Sequence, residues 1–95
     1  MADLDPLTVQ HNPAASRFQL EAEGLLAVLE YELEPGRILF THTEVPPALE
    51  GRGLGSRLAR AGLEHARTRQ MKVASICPFI DHYLEKHPEY QDLLA

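Results

Sequence analysis

Residues 49–67, "LEGRGLGSRLARAGLEHAR", place three glycines at alternate positions directly before a helical pattern. From Leu54 to about Gln70, the apolar side chains fall on one broad arc when residues are placed at about 100° per step. Polar side chains such as Arg57 and Glu64 fall on the other side. We therefore expect an amphipathic helix that lies against a sheet and begins just after the glycines.

The sequence before this helix predicts an antiparallel meander. Apolar and polar residues alternate in three short segments that turn signals separate. These predicted strands are Arg17–Glu21, Leu25–Leu33 and Ile38–Val45. In the third strand, strict alternation puts His42 and Glu44 on the same face as Ile38 and Phe40.

After the helix, the chain returns to a strand and then to a second helix. Residues 71–77, "MKVASIC", read as a short and mostly buried strand, and a helix between two strands favours a parallel crossover. Pro78 is well suited to open the second helix. The apolar face of that helix comprises Phe79, Ile80, Tyr83 and Leu84. The predicted order is β-β-β-α-β-α, an α/β fold with a mixed, mostly antiparallel sheet.

Composition and charge limit the classes of protein to which this chain can belong. Its 95 residues suffice for one domain, which we place at residues 16–95 behind a loose lead-in of residues 1–15 with at most a short edge strand. The net charge of −5 argues against a nucleic-acid binder, because such proteins need a basic surface. The single cysteine fits a reducing compartment, and we find no signal peptide or membrane-spanning run. We therefore expect a cytoplasmic protein without membrane contact.

The glycines have two uses that the local sequence does not separate. They can let an anion approach the unpaired N–H groups of a helix N-terminus, where a pyrophosphate is the usual ligand. They can equally allow a tight turn and close packing of the helix on the sheet. Two known phosphate loops are excluded, because Gly55-Ser56-Arg57 lacks the lysine of a Walker A loop and the glycine spacing is not that of a Rossmann fingerprint.

The frame Glu50-Gly51-Arg52-Gly53-Leu54-Gly55 resembles the GNAT superfamily of acetyl-CoA-dependent N-acetyltransferases, which carry [Q/R]-x-x-G-x-[G/A] between a central strand and a long helix. The flanking stretches "THTEVPPAL" and "PFIDHYLEKHPEY" extend the resemblance. The whole is most similar to a small subgroup of single-domain GNAT-like proteins. The resemblance implies a truncated GNAT-like fold that transfers an acetyl group from acetyl-CoA to an amine acceptor.

The same resemblance implies which residues hold the co-substrate. The N–H groups from Arg52 to Ser56 would hold the pyrophosphate, and Arg57 would add positive charge in the first helical turn. The backbone around Thr43 to Val45 would pair with the pantetheine arm, and an N–H near Val45 would polarise the thioester carbonyl. The predicted cofactor-binding residues are therefore Thr43, Val45, Arg52, Gly53, Leu54, Gly55, Ser56 and Arg57.

Two departures from the superfamily pattern bear on function. Glu50 stands where the superfamily prefers Gln or Arg, and a carboxylate near a pyrophosphate is unfavourable unless it points away. We also expect the N-terminal helices that usually build the acceptor pocket, and the terminal hairpin, to be missing. A non-catalytic acetyl-CoA-binding or protein-interaction module is therefore the alternative to an N-acetyltransferase.

The resemblance and the spacing together nominate four catalytic candidates, Tyr83, Glu44, His42 and Cys77. Tyr83 matches the superfamily tyrosine that protonates the leaving thiolate, although it also fits a simple place in the apolar face of its helix. Glu44 and His42 share one side of a strand near the expected acetyl position. They are candidates for a general base or for binding a cationic acceptor, and an exposed pair without a role is the alternative.

Cys77 ends the last strand just before the helix that Pro78 opens. A helix N-terminus favours a thiolate, so Cys77 is a candidate to accept the acetyl group first, with His42 or His82 as proton partner. A small buried apolar residue is the alternative, and direct transfer to the amine remains the first choice.

The remaining histidines do not predict a metal site. No recognised ligand spacing links His42, Glu44, Cys77, His82 and His87. His65 lies inside the apolar arc of the first helix, and we expect it to be a packed core histidine.

Overall fold

The computed structural model describes residues 8–94 and contains one five-stranded sheet covered by two helices. The strands are β1 (Gln10–Asn12), β2 (Arg17–Ala22), β3 (Leu25–Glu34), β4 (Arg37–Glu44) and β5 (Lys72–Ser75). The helices are α1 (Leu54–Thr68) and α2 (Pro78–Lys86), and 3₁₀ turns cover Pro13–Ala15, Pro47–Leu49 and Pro88–Leu93. Within the described part of the chain, no helix is long and apolar enough to cross a membrane.

The sheet follows the order β1-β2-β3-β4-β5, and only its last pair is parallel. Glu23 and Gly24, between β2 and β3, both have positive φ, which is typical of a tight hairpin turn whose twist matches its strands. The helix α1 connects the parallel neighbours β4 and β5. The α/β class and the parallel crossover are thus confirmed. The short strand β1 occupies the edge, while residues 1–7 of the predicted lead-in lie outside the described residues.

Helix α1 packs its apolar arc against one face of the sheet, which we call the covered face. Leu58, Ala59 and Leu63 of this helix are fully buried, as are Leu29 and Phe40 beneath it. A β-carbon on Gly62 would lie 2.9 Å from the Phe40 ring, so the glycine lets the helix approach the sheet closely. Leu33 lies opposite the buried Ile38, yet it is 63% exposed because it stands at the end of the hairpin.

A β-bulge in β4 overturns the predicted alternation of that strand. Tyr31 pairs with Phe40, but the preceding residue Glu30 pairs with His42, so Thr41 is an extra residue opposite β3. Its hydroxyl donates a hydrogen bond to the Glu30 carbonyl at 3.2 Å. Because paired residues share a face, His42 and Glu44 lie opposite to Ile38 and Phe40. The expectation that all four share one face was wrong.

The second face of the sheet, which we call the open face, is rich in charge. The register places Glu30, His42 and Glu44 there, together with Glu21 and Glu32. Val28 also lies there, and it does not belong to the buried cluster that α1 covers. Among residues 8–94, no helix covers this face. The two faces therefore differ in kind: one is an apolar core and the other exposes carboxylates.

Candidate active site

A cleft opens where β4 and β5 diverge. The parallel pairing ends at Phe40 and Ser75, so residues 41–44 continue without β5 beside them. The space beyond has a volume of about 470 Å³. It collects six of the predicted cofactor-binding residues, namely Thr43, Val45, Gly53, Leu54, Gly55 and Ser56. The cleft is therefore bounded by a strand with a free edge on one side and by the start of α1 on the other.

The first turn of α1 presents unpaired donors to this cleft. The first hydrogen bond of the helix runs from the Arg57 N–H to the Gly53 carbonyl at 3.1 Å. The N–H groups of Leu54, Gly55 and Ser56 precede that bond, so the helix itself supplies no acceptor for them. Such a turn, at the positive end of the helix dipole, fits the phosphate groups of a nucleotide-like coenzyme.

Gly51 and Gly53 shape the backbone that leads into this turn. Their φ angles are +82° and +75°, a region that other residues enter only with strain. A β-carbon on either would meet no atom within 4 Å, so neither glycine is there to make room for a neighbouring side chain. Their role is conformational, and they leave the space in front of the helix N-terminus open.

Gly55 has a different role from the two glycines before it. Its φ is that of an ordinary helical residue, but an added β-carbon would lie 2.8 Å from the ring of Phe79 on α2. The missing side chain therefore lets Phe79 pack directly on the first turn of α1. The tight turn and the close packing, which the sequence offered as one use of the glycines, therefore occur at separate positions, whereas an anion at the helix N-terminus stays a prediction.

The charged residues of the glycine loop differ in whether they line the cleft. Arg52 forms an ion pair with Glu23 of the β2–β3 turn at 2.6 Å, which ties the loop to the sheet. Neither Arg52 nor Arg57 lines the cleft. Glu50 does line it, from the exposed end of the Pro47–Leu49 turn. A carboxylate therefore lies in the cleft where the superfamily usually has a neutral or basic side chain.

Glu44 and His42 form a hydrogen-bonded pair on the open face. His42 Nε2 lies 3.2 Å from Glu44 Oε1, and the side chains are 54% and 70% exposed. Glu44 also lines the cleft, whereas His42 does not. The predicted shared side is confirmed for this pair. The carboxylate thus stands at the border between the cleft and the open face.

Cys77 lies on the other side of β4, at the N-terminus of α2. Its side chain is 2% exposed, and its Sγ lies 3.2 Å from the Thr43 hydroxyl. The Cys77 N–H donates to Ser75 Oγ at 3.1 Å. The hydrogen-bond partner of the thiol is therefore Thr43, rather than His42 or His82, which the sequence suggested. Thr43 in turn lines the cleft, so it joins Cys77 to that space.

Tyr83 lies beyond Phe79, in a second and smaller hollow. Its ring stacks on His87 with the centroids 3.9 Å apart, and the side chain is 9% exposed. Burial raises the pKa of the Tyr83 phenol above its usual value, which keeps it protonated. The structure does not place Tyr83 on the wall of the main cleft. It therefore separates Tyr83 from Glu44, although the sequence grouped them in one site.

The other histidines and the acidic groups form no further centre in the described part. His65 packs against His11 with ring centroids 4.5 Å apart, and His11 stacks on Phe18. His65 is thus packed against other rings as expected, but it is half-buried beside the core rather than part of it. Within residues 8–94, no group of three or more His, Cys, Asp or Glu side chains is arranged to hold a metal ion.

Comparisons with known proteins agree with this architecture. A family model described as GCN5-related N-acetyl-transferase matches residues 17–93. The chain belongs to this family. Protein NATD1 from Mus musculus is 35% identical over 86 residues, which cover 87% of this chain and 78% of the relative. The Homo sapiens Protein NATD1 is also 35% identical, over 87% of this chain and 76% of its own.

A solved structure shows that this GCN5-related family member also shares a known three-dimensional arrangement. The NMR solution structure of a GCN5-like putative N-acetyltransferase from Staphylococcus aureus superposes with a TM-score of 0.75 at 32% identity. The match covers 97% of this chain and 91% of the other. The fold and the family are therefore established for this chain.

Sequence reasoning missed two features of this GCN5-related site. The bulge at Thr41 left no mark in the alternation, because either phase of the strand gives a plausible pattern. Phe79 was assigned to the apolar face of α2 and given no part in the site, yet it is 39% exposed and borders both the cleft and the smaller hollow. The sequence did carry a signal that some neighbour packs closely on the first turn of α1, since a glycine inside a helical pattern often has a packing reason, but it did not identify that neighbour as Phe79.

Proposed function

We propose that this protein transfers an acetyl group from acetyl-CoA to an amine. The observation that carries the proposal is that one cleft joins the unpaired N–H groups of α1, the free edge of β4 and the Glu44 carboxylate. Acetyl-CoA supplies an acetyl group activated as a thioester when it is bound. The predicted cytoplasmic location is part of the same proposal.

On the covered side of β4, the chain binds and orients the coenzyme. The N–H groups of Leu54, Gly55 and Ser56 hold the pyrophosphate, and Gly51 and Gly53 keep the approach open. The free edge of β4 around Thr43 pairs with the amide groups of the pantetheine arm, as an added strand would. The Val45 N–H, just past the end of β4, would polarise the thioester carbonyl.

On the open side of β4, the chain handles the amine. Glu44 reaches the cleft and accepts the proton that an ammonium group must lose before it attacks. When Nε2 carries the proton, His42 donates to Glu44 and holds the carboxylate in place. Glu30, directly opposite His42, adds negative charge on the same face. Together these carboxylates favour an acceptor that is cationic before it reacts.

The coenzyme thiolate requires a proton when it leaves. We propose two residues for this departure, Tyr83 in direct transfer and Cys77 in a second route. Tyr83 is protonated because burial raises the pKa of its phenol, but it must reach the sulfur past Phe79. Cys77 supports a second candidate route, because Thr43 connects its Sγ to the cleft. In that route the Cys77 thiolate forms the new thioester bond, coenzyme A leaves as the protonated thiol, and the amine then takes the acetyl group.

Calorimetry and thiol release test the proposal in two steps. Titration with acetyl-CoA and with coenzyme A measures binding, and free-thiol release is then followed over polyamines, amino acids, aminoglycosides and basic peptides. We expect binding together with release on at least one amine. No binding at millimolar acetyl-CoA would contradict the proposal. Binding without thiol release on any amine would contradict catalysis and would favour a non-catalytic acetyl-CoA-binding module.

Substitutions separate the two routes. If Cys77 carries the acetyl group, Cys77→Ala abolishes turnover, and mass spectrometry of the wild-type protein detects one added acetyl group on the Cys77 peptide. If transfer is direct, Cys77→Ala retains turnover and Tyr83→Phe loses it. Unchanged turnover in either variant removes that residue from the mechanism.

A further inference from the structure

Three cross-strand pairs on the open face share one arrangement, in which a carboxylate lies opposite an apolar side chain. Side chains directly opposite each other have β-carbons about 5 Å apart, so each pair forms one continuous surface. We call them the acidic–apolar pairs, and they are Glu21 with Leu26, Glu44 with Val28 and Glu32 with Leu39. The acetyl-transfer scheme uses only Glu44 among these side chains.

The carboxylates of the acidic–apolar pairs are available to a partner. Glu21 and Glu32 are exposed, and neither forms an ion pair with any of residues 8–94. Glu44 is 70% exposed. Arg17 also lies on this face, but opposite Glu30 rather than opposite a member of the pairs. The basic side chains at the margin of the face already have partners, namely Arg37 and Lys72. The face is therefore negative where the pairs lie.

Each acidic–apolar pair matches the two parts of a long basic side chain. Lysine and arginine cover apolar surface with their methylene stems while the charged head reaches water or a carboxylate. Leu26 is 37% exposed and Leu39 is half-buried, so both offer apolar surface to such a stem. The pairs therefore favour a cation carried on an apolar stem over a compact cation.

The extent of the acidic–apolar pairs favours a polypeptide over a small amine. Along β3 they span from Leu26 to Glu32, a distance of about 20 Å at about 3.4 Å per residue. Their carboxylates come from β2, β3 and β4, so they do not lie along one line. An extended polypeptide presents alternate side chains to one face with the same repeat as β3. One segment can therefore meet all the pairs, and the pair of Glu44 borders the cleft.

Charge argues against two other occupants of the open face. Residues 1–7 contain two aspartates and no basic residue, so this segment does not complement the carboxylates. A second copy stacked face to face would place the same carboxylates against one another, and the chain carries a net charge of −5. A basic partner is the occupant that charge complementarity supports.

We infer that the open face binds an extended, lysine- or arginine-rich segment of another polypeptide, and that a lysine of this segment is the acetyl acceptor. The inference rests on the proposed function, because it takes the acetyl group to lie in the cleft beside Glu44. The lysine amine forms a bond to the thioester carbonyl carbon, and the carbon–sulfur bond breaks. One proton of the original ammonium goes to Glu44 and a second goes to the coenzyme thiolate, so coenzyme A leaves as the thiol.

Calorimetry without coenzyme tests the docking by itself. The probe is an octapeptide with capped ends and lysine at alternate positions, and spermine, which carries the same charge, is the comparison. We expect the peptide to bind about tenfold more tightly than spermine, because only its side chains reach all the acidic–apolar pairs. Equal affinities would show that the face attracts any polycation and would overturn the inference.

Variants of the open face test whether the pairs are the binding surface. Glu21→Gln combined with Glu32→Gln should weaken peptide binding about fivefold, as the loss of two exposed charge pairs would give. Leu26→Ser should weaken it about threefold without any change of charge, because a stem loses its apolar contact. Asp81→Asn combined with Glu85→Gln removes the same charge from exposed positions on α2 and should have no effect. An equal loss in this control would show a general charge effect and would contradict the role of the pairs.

Acetylation of the same peptide separates this inference from the proposed function. With acetyl-CoA, we expect mass spectrometry to detect acetyl-lysine in the peptide, and the Glu21→Gln, Glu32→Gln variant to raise its KM about fivefold while kcat stays unchanged. A protein that releases thiol with a small amine but leaves the peptide unmodified would overturn the inference and keep the proposed function. Failure to bind acetyl-CoA at millimolar concentration would overturn both.

Discussion

Strand β4 contributes side chains to both faces of the sheet, and the two faces differ in burial and charge. On the covered face, Phe40 is fully buried beneath α1, and Thr43 contacts Cys77 at the start of α2. On the open face, His42 and Glu44 remain largely exposed. The extra residue Thr41 shifts the alternation of β4, so that His42 and Glu44 lie on the face opposite to Phe40. Packing therefore dominates the face proposed to serve the coenzyme, whereas exposed charge dominates the face proposed to serve the acceptor, and we expect the two to respond differently to substitution.

The largest expected effect is a difference in the free energy of unfolding between substitutions on the covered face and on the open face. Phe40→Ala should lower the free energy of unfolding by about 3–5 kcal/mol, because it leaves a cavity under α1. His42→Ala, two residues further along the strand, should change it by less than about 0.5 kcal/mol, since the side chain is exposed. Urea unfolding measures both. Should Phe40→Ala not fold, Phe40→Leu supplies a milder loss. Similar losses at Phe40 and His42 would contradict the assignment of faces.

The second prediction separates the faces by activity. Glu44→Gln should reduce turnover by about 100-fold or more, because a general base is removed, while affinity for acetyl-CoA and stability stay unchanged. Glu21→Gln is the matched control, since Glu21 lies on the same face but away from the cleft. Thiol-release kinetics and calorimetry provide the two readouts. Weaker acetyl-CoA binding without a change in turnover would place Glu44 on the coenzyme side instead.

The third prediction concerns the glycines that precede α1. Gly53→Ala should cost about 1–3 kcal/mol of stability, because φ there is +75°. It should also weaken acetyl-CoA binding by about tenfold, as the N–H groups shift away from the pyrophosphate. Gly24→Ala, at a turn of the same φ sign, is a control that carries the strain without the binding loss. Equal effects of the two variants on affinity would argue against an anion site at this turn.

The smallest effect concerns the histidine cluster at the edge of the covered face. Burial lowers the pKa of both His11 and His65 below 6.5, with further contributions from Arg69 and, for His65, from His11. The unfolded chain therefore takes up protons first as pH falls. The stability contributed by the neutral rings is complete above pH 6.5 and declines as pH drops below it.

Urea unfolding between pH 7.5 and pH 5 measures this decline. His65→Gln should flatten the curve over that range, because one of the two coupled rings no longer titrates. His82→Gln is the control, since His82 is exposed on α2 and lies outside the cluster. A curve that is as steep in His65→Gln as in the wild-type protein would contradict the role of the cluster.

The sequence predicted the elements that local patterns determine, and it failed where pairing between strands decides. Helix α1 could be located because its apolar arc repeats with helical period and Gly53 precedes it. The parallel crossover followed from the order of elements. The bulge at Thr41 could not be found, because it depends on how β3 pairs with β4 rather than on any single residue.

The candidate site was predictable in the same uneven way. Six of the eight predicted coenzyme-binding residues line the cleft, because they lie close together along the chain at a strand end and a helix start. The sequence grouped Tyr83 and Glu44 in one site, but the two residues line different cavities, and Phe79 borders both. Which side chains share a cavity depends on how α1 and α2 pack together. In the sequence, the only sign of this close packing was Gly55.

Backbone amide shifts on titration with acetyl-CoA test most directly the claim that coenzyme and acceptor occupy different sides of β4. In nitrogen-15 NMR spectra, we expect the largest changes at Gly53 to Ser56 and at Thr43 to Val45, with little change at Glu21 and Glu32 on the open face. Largest changes on the open face, or none at millimolar acetyl-CoA, would contradict it.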